Sequence, residues 1–187
     1  TEGPLLIMAG AGSGKTRVLT HRVAYLIEQQ NVNPWNILAI TFTNKAAREM
    51  RERIDRLVEY GSEAVWVSTF HALCVRILRR DAEKVGFSKA FTIGSPSEQK
   101  TLMKHIVADT LNLDTKQYDP RSFLASISSW KNELIEPEEA LLQANAEANP
   151  MEVAAARAYQ IYQDELKKNQ TMDFDDLIMK TIQLFES

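Results

Sequence analysis

Ala9-Gly10-Ala11-Gly12-Ser13-Gly14-Lys15-Thr16 decides the fold of this chain, because of the segments on either side of it. Residues 4–8 form a short, continuous apolar run that is typical of a buried strand, and residues 15–29 are predicted to form a helix. A glycine-rich turn between a strand and a helix is the arrangement of a phosphate-binding loop. The general pattern begins with glycine, so Ala9 makes this the relaxed form with a small residue there.

Each part of this loop has a physical purpose. Gly10, Gly12 and Gly14 allow positive φ angles and a close approach of the backbone to phosphate. The N–H groups at the start of the following helix and its dipole favour an anion. Lys15 places a positive charge against the outer phosphates, and Thr16 offers a hydroxyl to Mg²⁺. In this context a turn without a ligand is the weaker interpretation, so we predict a nucleotide-phosphate site at residues 9–16.

The remainder of the first ninety residues alternates between strands and helices. Buried strands are predicted at residues 36–42 and 65–68, and helices at 44–60 and 70–85. Short apolar runs separated by helices indicate βαβ units and a parallel sheet with both faces covered. A further short strand is predicted at residues 91–93. The fold class is therefore α/β.

The character of the chain changes near residue 95. Ser95-Pro96-Ser97-Glu98 is a capping box that opens a helix towards Leu113, and no strand is predicted after it. Further helices are predicted to begin near residues 120, 137, 150 and 171–173. Residues 1–90 hold 13 Lys and Arg against 9 Asp and Glu, whereas residues 91–187 hold 9 against 16. The basic first half and the acidic second half indicate a border at this point.

Composition excludes several classes of protein. The chain has 187 residues, 44% of them hydrophobic, which is enough for a folded core. No apolar run approaches the ~18 residues that a membrane span needs, and residues 1–3 supply no basic start for a secretory signal. Cys74 is the one cysteine, so no disulfide can form within the chain. These features predict a cytoplasmic protein.

Four landmarks, in order along the chain, resemble the UvrD/PcrA/Rep family of superfamily one DNA helicases, and most closely its PcrA branch. They are residues 5–22, 37–53, 67–73 and 172–178, and the second and third of them contain Thr41-Phe42-Thr43-Asn44-Lys45-Ala46-Ala47 and Ser68-Thr69-Phe70-His71-Ala72. Together they extend over nearly the whole chain. The resemblance implies an incomplete parallel-sheet P-loop NTPase core of RecA type, followed by an all-helical subdomain.

The resemblance also implies domain borders and an activity. Residues 1–95 would be the first part of a first motor domain, 96–172 a helical accessory subdomain, and 173–187 a helix returning to the motor core. The parent would be an ATP-dependent helicase that uses ATP and Mg²⁺ to move 3′ to 5′ on single-stranded DNA and unwind duplexes. Its partners would be single-stranded DNA, duplex junctions and a second motor domain of the same chain. DNA repair or DNA replication in the cytoplasm, away from membranes, is the implied setting.

The resemblance assigns roles to residues at the loop and at two strand ends. Lys15 and Thr16 are the implied catalytic residues, and Arg17 is implied to lie against the adenine ring. The residues implied to contact single-stranded DNA are Phe42, Asn44, Thr69 and His71. These residue types suit the task, because rings stack on bases for about 1–3 kcal/mol per base and polar groups contact sugar and phosphate.

Other interpretations of these and nearby residues stay open. Phe42 and Phe70 could be core aromatics, and His71 could cap a helix or pack. The arginines at 48, 51, 53 and 56 alternate with acids, so we interpret them mainly as a solvated helix face with local ion pairs. For a second basic cluster, phosphate contact and a solvated face are equally open: Arg76, Arg79, Arg80 and Lys84.

The acids at Asp173, Asp175 and Asp176 could be mistaken for the Mg²⁺-binding acids of a motor. Such an acid should follow an apolar strand, but polar residues 168–171 precede this group. We interpret the three carboxylates as stabilising the start of a helix, at a few tenths to about 1 kcal/mol each.

In the resembling helicases, the acidic pair would follow Ser187, the arginines would lie further on, and an adenine-reading glutamine would precede Thr1. We therefore expect a piece of a longer protein that does not hydrolyse ATP alone, since hydrolysis needs those groups. One alternative is a small-molecule or nucleotide kinase built on the same loop, which leaves residues 41–47 unexplained. Another is a non-catalytic module that binds nucleotide or a protein partner.

Overall fold

A computed structural model describes residues 3–8, 10 and 14–187 of the chain. It divides the chain into two compact units, Thr1–Leu73 and Cys74–Ser187, with the border inside one helix. Both units combine helices with a short two-stranded parallel sheet. The predicted α/β class with parallel strands is therefore confirmed in this coarse form.

The first unit alternates helices and strands as predicted. Its elements are α1 (Lys15–Glu28), β1 (Leu38–Thr41), α2 (Asn44–Leu57), β2 (Trp66–Thr69) and the start of α3 (Phe70–Asp81). Single 3₁₀ turns, Pro34–Asn36 and Ser62–Ala64, precede the two strands.

The core of the first unit explains why α2 packs against both strands and α1 packs against α2. Met50 and Ile54 of α2, and Val58 directly after the helix, recur every four residues and are almost completely buried. They pack with Val23 of α1 and Ala39 of β1 in one apolar cluster. Burial of this stripe, at about 25 cal/mol per Å² of apolar surface, favours the observed packing of α2 against the strands and against α1.

The register of β1 and β2 fixes which residues meet at the end of the sheet. The strands are parallel, with Leu38 opposite Trp66 and Thr41 opposite Thr69. Phe42 and Phe70 come directly after this last pair, so both side chains leave the sheet at the same edge. Ligands bind at this carboxyl edge in open parallel sheets.

The prediction of a strand at residues 4–8 is wrong. These residues form no strand, and their apolar side chains are exposed, from 51% for Ile7 to 86% for Met8. A strand needs a neighbour to satisfy its backbone N–H and C=O groups. Among the described residues of this unit, β1 and β2 pair only with each other, so the segment has no strand to pair with.

The second unit is mainly helical. Four of its helices begin at prolines, as the sequence predicts, and in three of them the side chain before the proline caps the helix start. The elements are β3 (Thr92–Ile93), α4 (Pro96–His105), a π-helical turn (Ile106–Thr110), α5 (Pro120–Asn132), α6 (Pro137–Ala146), α7 (Pro150–Lys168), β4 (Thr171–Met172) and α8 (Phe174–Glu186).

Two predictions are wrong at residues 171–172: that no strand follows residue 95, and that segment 96–172 is all helical. Thr171 and Met172 form β4, which pairs in parallel with Thr92 and Ile93 of β3. The Thr92 N–H donates to the Gln170 carbonyl, and the Gly94 N–H donates to the Met172 carbonyl. A two-residue strand is too short to show a periodic pattern in the sequence.

Two apolar clusters lie in the second unit. One joins α4, α5, α6 and α7 around the fully buried Tyr159 and Tyr162. The other joins Cys74 and Leu78 of α3 and Phe91 to Leu177 and Leu184 of α8. The last helix thus packs with residues 74–91, on the other side of the helical segment in the sequence. The predicted borders at 95 and 172 stay predictions.

Candidate functional site

The phosphate-loop residues that the structure describes are Gly10, Gly14, Lys15 and Thr16; Ala9, Ala11, Gly12 and Ser13 lie outside the described residues. Gly14 caps α1 with φ 83° and ψ 17°, a left-handed conformation that favours glycine. The Lys15 ammonium donates a hydrogen bond of 2.6 Å to the Gly10 carbonyl. This bond joins the first residue of α1 to Gly10, five positions earlier in the chain.

The first turn of α1 suits an anion. It contains no acidic residue, so no side chain neutralises the positive end of the helix dipole. Thr16 is half-buried there and Arg17 is exposed. With the ammonium of Lys15 and the left-handed Gly14, the described donors fit the phosphates of a nucleotide, and Thr16 has the hydroxyl that Mg²⁺ accepts as a ligand.

The two strand ends carry a pair of aromatic rings. The centroids of Phe42 and Phe70 are 5.3 Å apart, and the ring planes are inclined by 39°. Phe42 is 84% exposed, whereas Phe70 is 41% exposed. Phe42 is therefore not a core aromatic; it leans on Phe70 and leaves the rest of its ring open. An open ring supported from one side can stack on a flat, apolar partner.

The polar residues implied at the same edge differ in accessibility. Asn44 is exposed at the start of α2, where the Thr43 hydroxyl accepts a hydrogen bond from the Ala46 N–H. Thr69 is 6% exposed, and its hydroxyl accepts a bond of 3.2 Å from the Ala72 N–H. Thr69 therefore caps α3, which leaves its hydroxyl hydrogen as the group for any further contact. His71 is half-buried in the first turn of α3.

Much of the second basic cluster is engaged within the protein. Arg79 donates to the carbonyls of Lys89 and Phe91, and its guanidinium carbon lies 4.0 Å from the centroid of the Phe91 ring. Arg80 and Lys84 both approach Asp81, at 3.6 and 3.9 Å. Arg79 thus fastens α3 to the segment before β3, and its phosphate contact is not favoured.

The acids at 173–176 form the predicted helix start. One Asp173 oxygen accepts a hydrogen bond of 2.8 Å from the Asp176 N–H, and an Asp176 oxygen accepts one of 3.1 Å from the Asp173 N–H. This reciprocal capping box satisfies two N–H groups at the start of α8. The interpretation of these carboxylates as helix-stabilising groups is confirmed for this pair.

The sequence did not predict that a buried lysine, Lys131, lies beside these acids. The Lys131 ammonium lies 2.7 Å from Asp173 and 2.9 Å from Asp176, and all three side chains are at most 6% exposed. The Tyr162 hydroxyl donates a further bond of 2.9 Å to Asp173. A signal was present in the sequence, since Lys131 continues the four-residue spacing of the buried Phe123 and Ile127 along α5.

The surroundings shift the pKa values of the Asp173 and Asp176 carboxyl groups in opposite directions. Burial alone would raise the pKa of Asp173, but the Lys131 ammonium and the hydrogen bonds to the carboxylate bring it below its ordinary value. Burial raises the pKa of Asp176 and outweighs the same lysine. Burial also raises the pKa of Tyr162, which keeps its hydroxyl protonated as a donor. Asp173 is thus the acceptor on which Lys131 and Tyr162 converge.

In residues 3–8, 10 and 14–187, no group of three or more His, Cys, Asp or Glu could hold a metal ion. None of the helices described is both long and apolar enough to cross a membrane.

Comparison with known proteins gives matches along the full chain. The family model described as UvrD/REP helicase N-terminal domain matches residues 1–187. The chain is 61% identical to the ATP-dependent DNA helicase PcrA of Leuconostoc citreum over 188 residues, and 55% identical to the proteins of that name from Staphylococcus epidermidis and Staphylococcus aureus over 186 residues. Each match covers 100% of this chain and 25% of the relative, so the chain spans about a quarter of the relatives' length.

Proposed function

Since this chain belongs to the UvrD/REP helicase N-terminal domain family, we propose that it is the N-terminal part of a longer ATP-dependent DNA helicase. The longer protein couples ATP binding and hydrolysis to 3′-to-5′ movement on single-stranded DNA and to duplex unwinding. The observation that carries the proposal is the exposed ring of Phe42, held against Phe70 at the carboxyl edge of a sheet in a chain with a phosphate loop. The names of the relatives support it.

Residues 9–16 bind the phosphates of ATP in this proposal. Lys15 contacts the outer phosphates, and Thr16 contributes its hydroxyl to Mg²⁺, which neutralises phosphate charge when bound. Arg17, exposed and next to Thr16, lies against the adenine ring. The left-handed Gly14 and the unneutralised start of α1 support this assignment.

Single-stranded DNA lies across the carboxyl edge of β1 and β2. Phe42 stacks on a base, because 84% of its surface is accessible and stacking tolerates any sequence. Asn44 contacts sugar or phosphate from the exposed start of α2. Thr69 and His71 complete the contact from the neighbouring strand end, with Thr69 also holding the start of α3.

The organisation proposed for the chain is an incomplete RecA-type P-loop core interrupted by a helical subdomain. Residues 1–95 begin the first motor domain, 96–172 form the helical accessory subdomain, and 173–187 return to the core. The apolar cluster that joins residues 74–91 to α8 supports the return, and the separate cluster of α4 to α7 supports the insertion. A second motor domain, duplex junctions, and repair or replication in the cytoplasm complete the proposal.

The test is ATP hydrolysis by the longer protein with and without single-stranded DNA. DNA should stimulate hydrolysis, and Lys15→Ala should abolish it because the outer phosphates lose their cation. Lys100→Ala is the matched control, since this lysine is exposed on α4 and should leave the rate unchanged. The 187-residue chain alone should not hydrolyse ATP. Hydrolysis that ignores DNA but consumes a phosphate acceptor would overturn the proposal in favour of a kinase.

A further inference from the structure

A cavity of about 330 Å³ lies between α1 and α2 in the first unit. The residues that line it are Arg17, Thr20 and His21 from α1, and Arg53, Arg56 and Leu57 from α2. Arg17 directly follows Thr16, so the cavity begins one residue beyond the phosphate loop in the sequence. The three lining residues from α2 have no part in the proposed ATP or DNA contacts.

The lining is strongly basic and poorly compensated. It contains three guanidinium groups and one imidazole, and no carboxylate among the described residues that line it. Within the described part of the chain, neither Arg17 nor Arg53 has a carboxylate oxygen within 4 Å. Arg56 approaches Glu52 at 3.9 Å, but both side chains are more than half exposed, so this pair contributes little.

The arginines of α2 thus differ from one another in their surroundings. Arg51 pairs with Asp55 at 3.6 Å and donates to the carbonyls of Ser62 and Val65, so it is used within the fold. Arg53 and Arg56 instead face the same cavity as Arg17. Three like charges around one cavity repel each other, and a bound anion relieves that repulsion.

We infer that this cavity is a second anion site that takes a small di- or polyphosphate. One guanidinium group can donate two parallel N–H hydrogen bonds to a pair of phosphate oxygens. Arginine is therefore the residue suited to this chemistry. The volume is at the lower end of the range of about 300–1,000 Å³ for small-molecule sites. Leu57 and the aliphatic stems of the arginines supply an apolar wall beside the charges. The site goes beyond the proposed loop and DNA contacts and shares with them only Arg17, which is proposed to lie against the adenine ring.

The test uses the longer protein with Lys15→Ala, which removes the lysine of the loop and leaves the cavity intact. Pyrophosphate binding is measured by titration calorimetry in this background. Adding Arg53→Ala and Arg56→Ala should weaken it about 10- to 100-fold, as expected for the loss of charge-assisted hydrogen bonds. Arg48→Ala, an exposed arginine of the same helix outside the cavity, is the matched control and should change the affinity less than about twofold.

Three further measurements distinguish the possible ligands of the cavity. Arg53→Lys with Arg56→Lys keeps the charge but loses the paired donors, and should give an intermediate loss. ADP in place of pyrophosphate shows whether a free diphosphate or a nucleotide is preferred, and either preference supports the site. A dT oligonucleotide that loses affinity while pyrophosphate does not would reassign the arginines to the DNA backbone and overturn the inference.

Equal pyrophosphate affinity in the double alanine variant and in the Arg48→Ala control would also overturn it, as would the absence of binding with Lys15→Ala alone. These outcomes are separate from the test of the helicase proposal. DNA-stimulated hydrolysis depends on the loop and the strand ends, whereas pyrophosphate binding is measured with the loop lysine removed. Either result can therefore fail while the other holds.

Discussion

The Lys131 ammonium lies 2.7 Å from a carboxylate oxygen of Asp173, although the two residues are 42 positions apart in the chain. Neither side chain is more than 6% exposed. The pair therefore fastens the end of α5 to the start of α8, and Asp176 and Tyr162 complete the cluster. A buried ion pair gains little over an apolar contact, but it leaves a costly charge behind when one partner is removed.

Lys131→Met should destabilise the chain by about 3–5 kcal/mol. The substitution fits the space of the aliphatic stem but leaves Asp173 and Asp176 buried without their cation. The free energy of unfolding is measured with urea and circular dichroism. The neutral triple variant Lys131→Met, Asp173→Asn, Asp176→Asn should recover most of the loss, because asparagine still accepts the capping hydrogen bonds. A triple variant as unstable as Lys131→Met would show that packing, and not the buried charge, is responsible.

The stability that Asp173 contributes should depend on pH with a defined sign. Its pKa is lowered in the fold, so the unfolded chain takes up the proton first as the pH falls. Its contribution is fully present above the unfolded value of about 3.9 and is lost as the pH falls through the lower folded value. The difference in unfolding free energy between wild type and Asp173→Asn should therefore be constant near pH ~6 and shrink towards pH ~2. A difference that does not change with pH contradicts the lowered pKa.

Phe42→Ala should weaken binding of a dT oligonucleotide by about 5- to 150-fold, which corresponds to the ~1–3 kcal/mol of one stacked base. The measurement is fluorescence anisotropy with the longer protein. The control is Tyr60→Ala, because Tyr60 is an equally exposed ring, at 82%, and precedes β2 instead of following it. Similar losses in both variants would mean that exposed aromatics in general, and not this strand end, bind the oligonucleotide.

The sequence predicted best those elements whose ends carry their own chemical signal. Ser95 and Glu98 mark the start of α4, and the prolines at 120, 137 and 150 open the next three helices as predicted. Strands β1 and β2 were found because each is a short apolar run followed by a helix. At the site, the shared edge of Phe42 and Phe70 followed from the parallel order of the strands alone.

The features that the sequence did not predict depend on partners far away in the chain. β4 exists because Thr171 pairs with Thr92, and two residues carry no periodic signal. Lys131 lies on an apolar stripe, where a charged residue is rarely buried without a partner, and its acids are in another helix. The apolar run at 4–8 met the local rule for a strand but has no neighbouring strand among the described residues. Local patterns set propensity, whereas pairing is decided at long range.

Ser95→Ala should destabilise the chain by about 1 kcal/mol through the start of α4. The Ser95 hydroxyl accepts a hydrogen bond from the Glu98 N–H, and the Glu98 carboxylate accepts one of 2.8 Å from the Ser95 N–H. Hydrogen bonds from the backbone and the side chain of Ser95 also lower the pKa of Glu98. The matched control is Ser129→Ala on the exposed side of α5, whose hydroxyl has no hydrogen bond to any residue that the structure describes. Urea unfolding should separate the two, with the control close to wild type because alanine favours helix. If both variants unfold at the same urea concentration, the box does not hold α4 in solution.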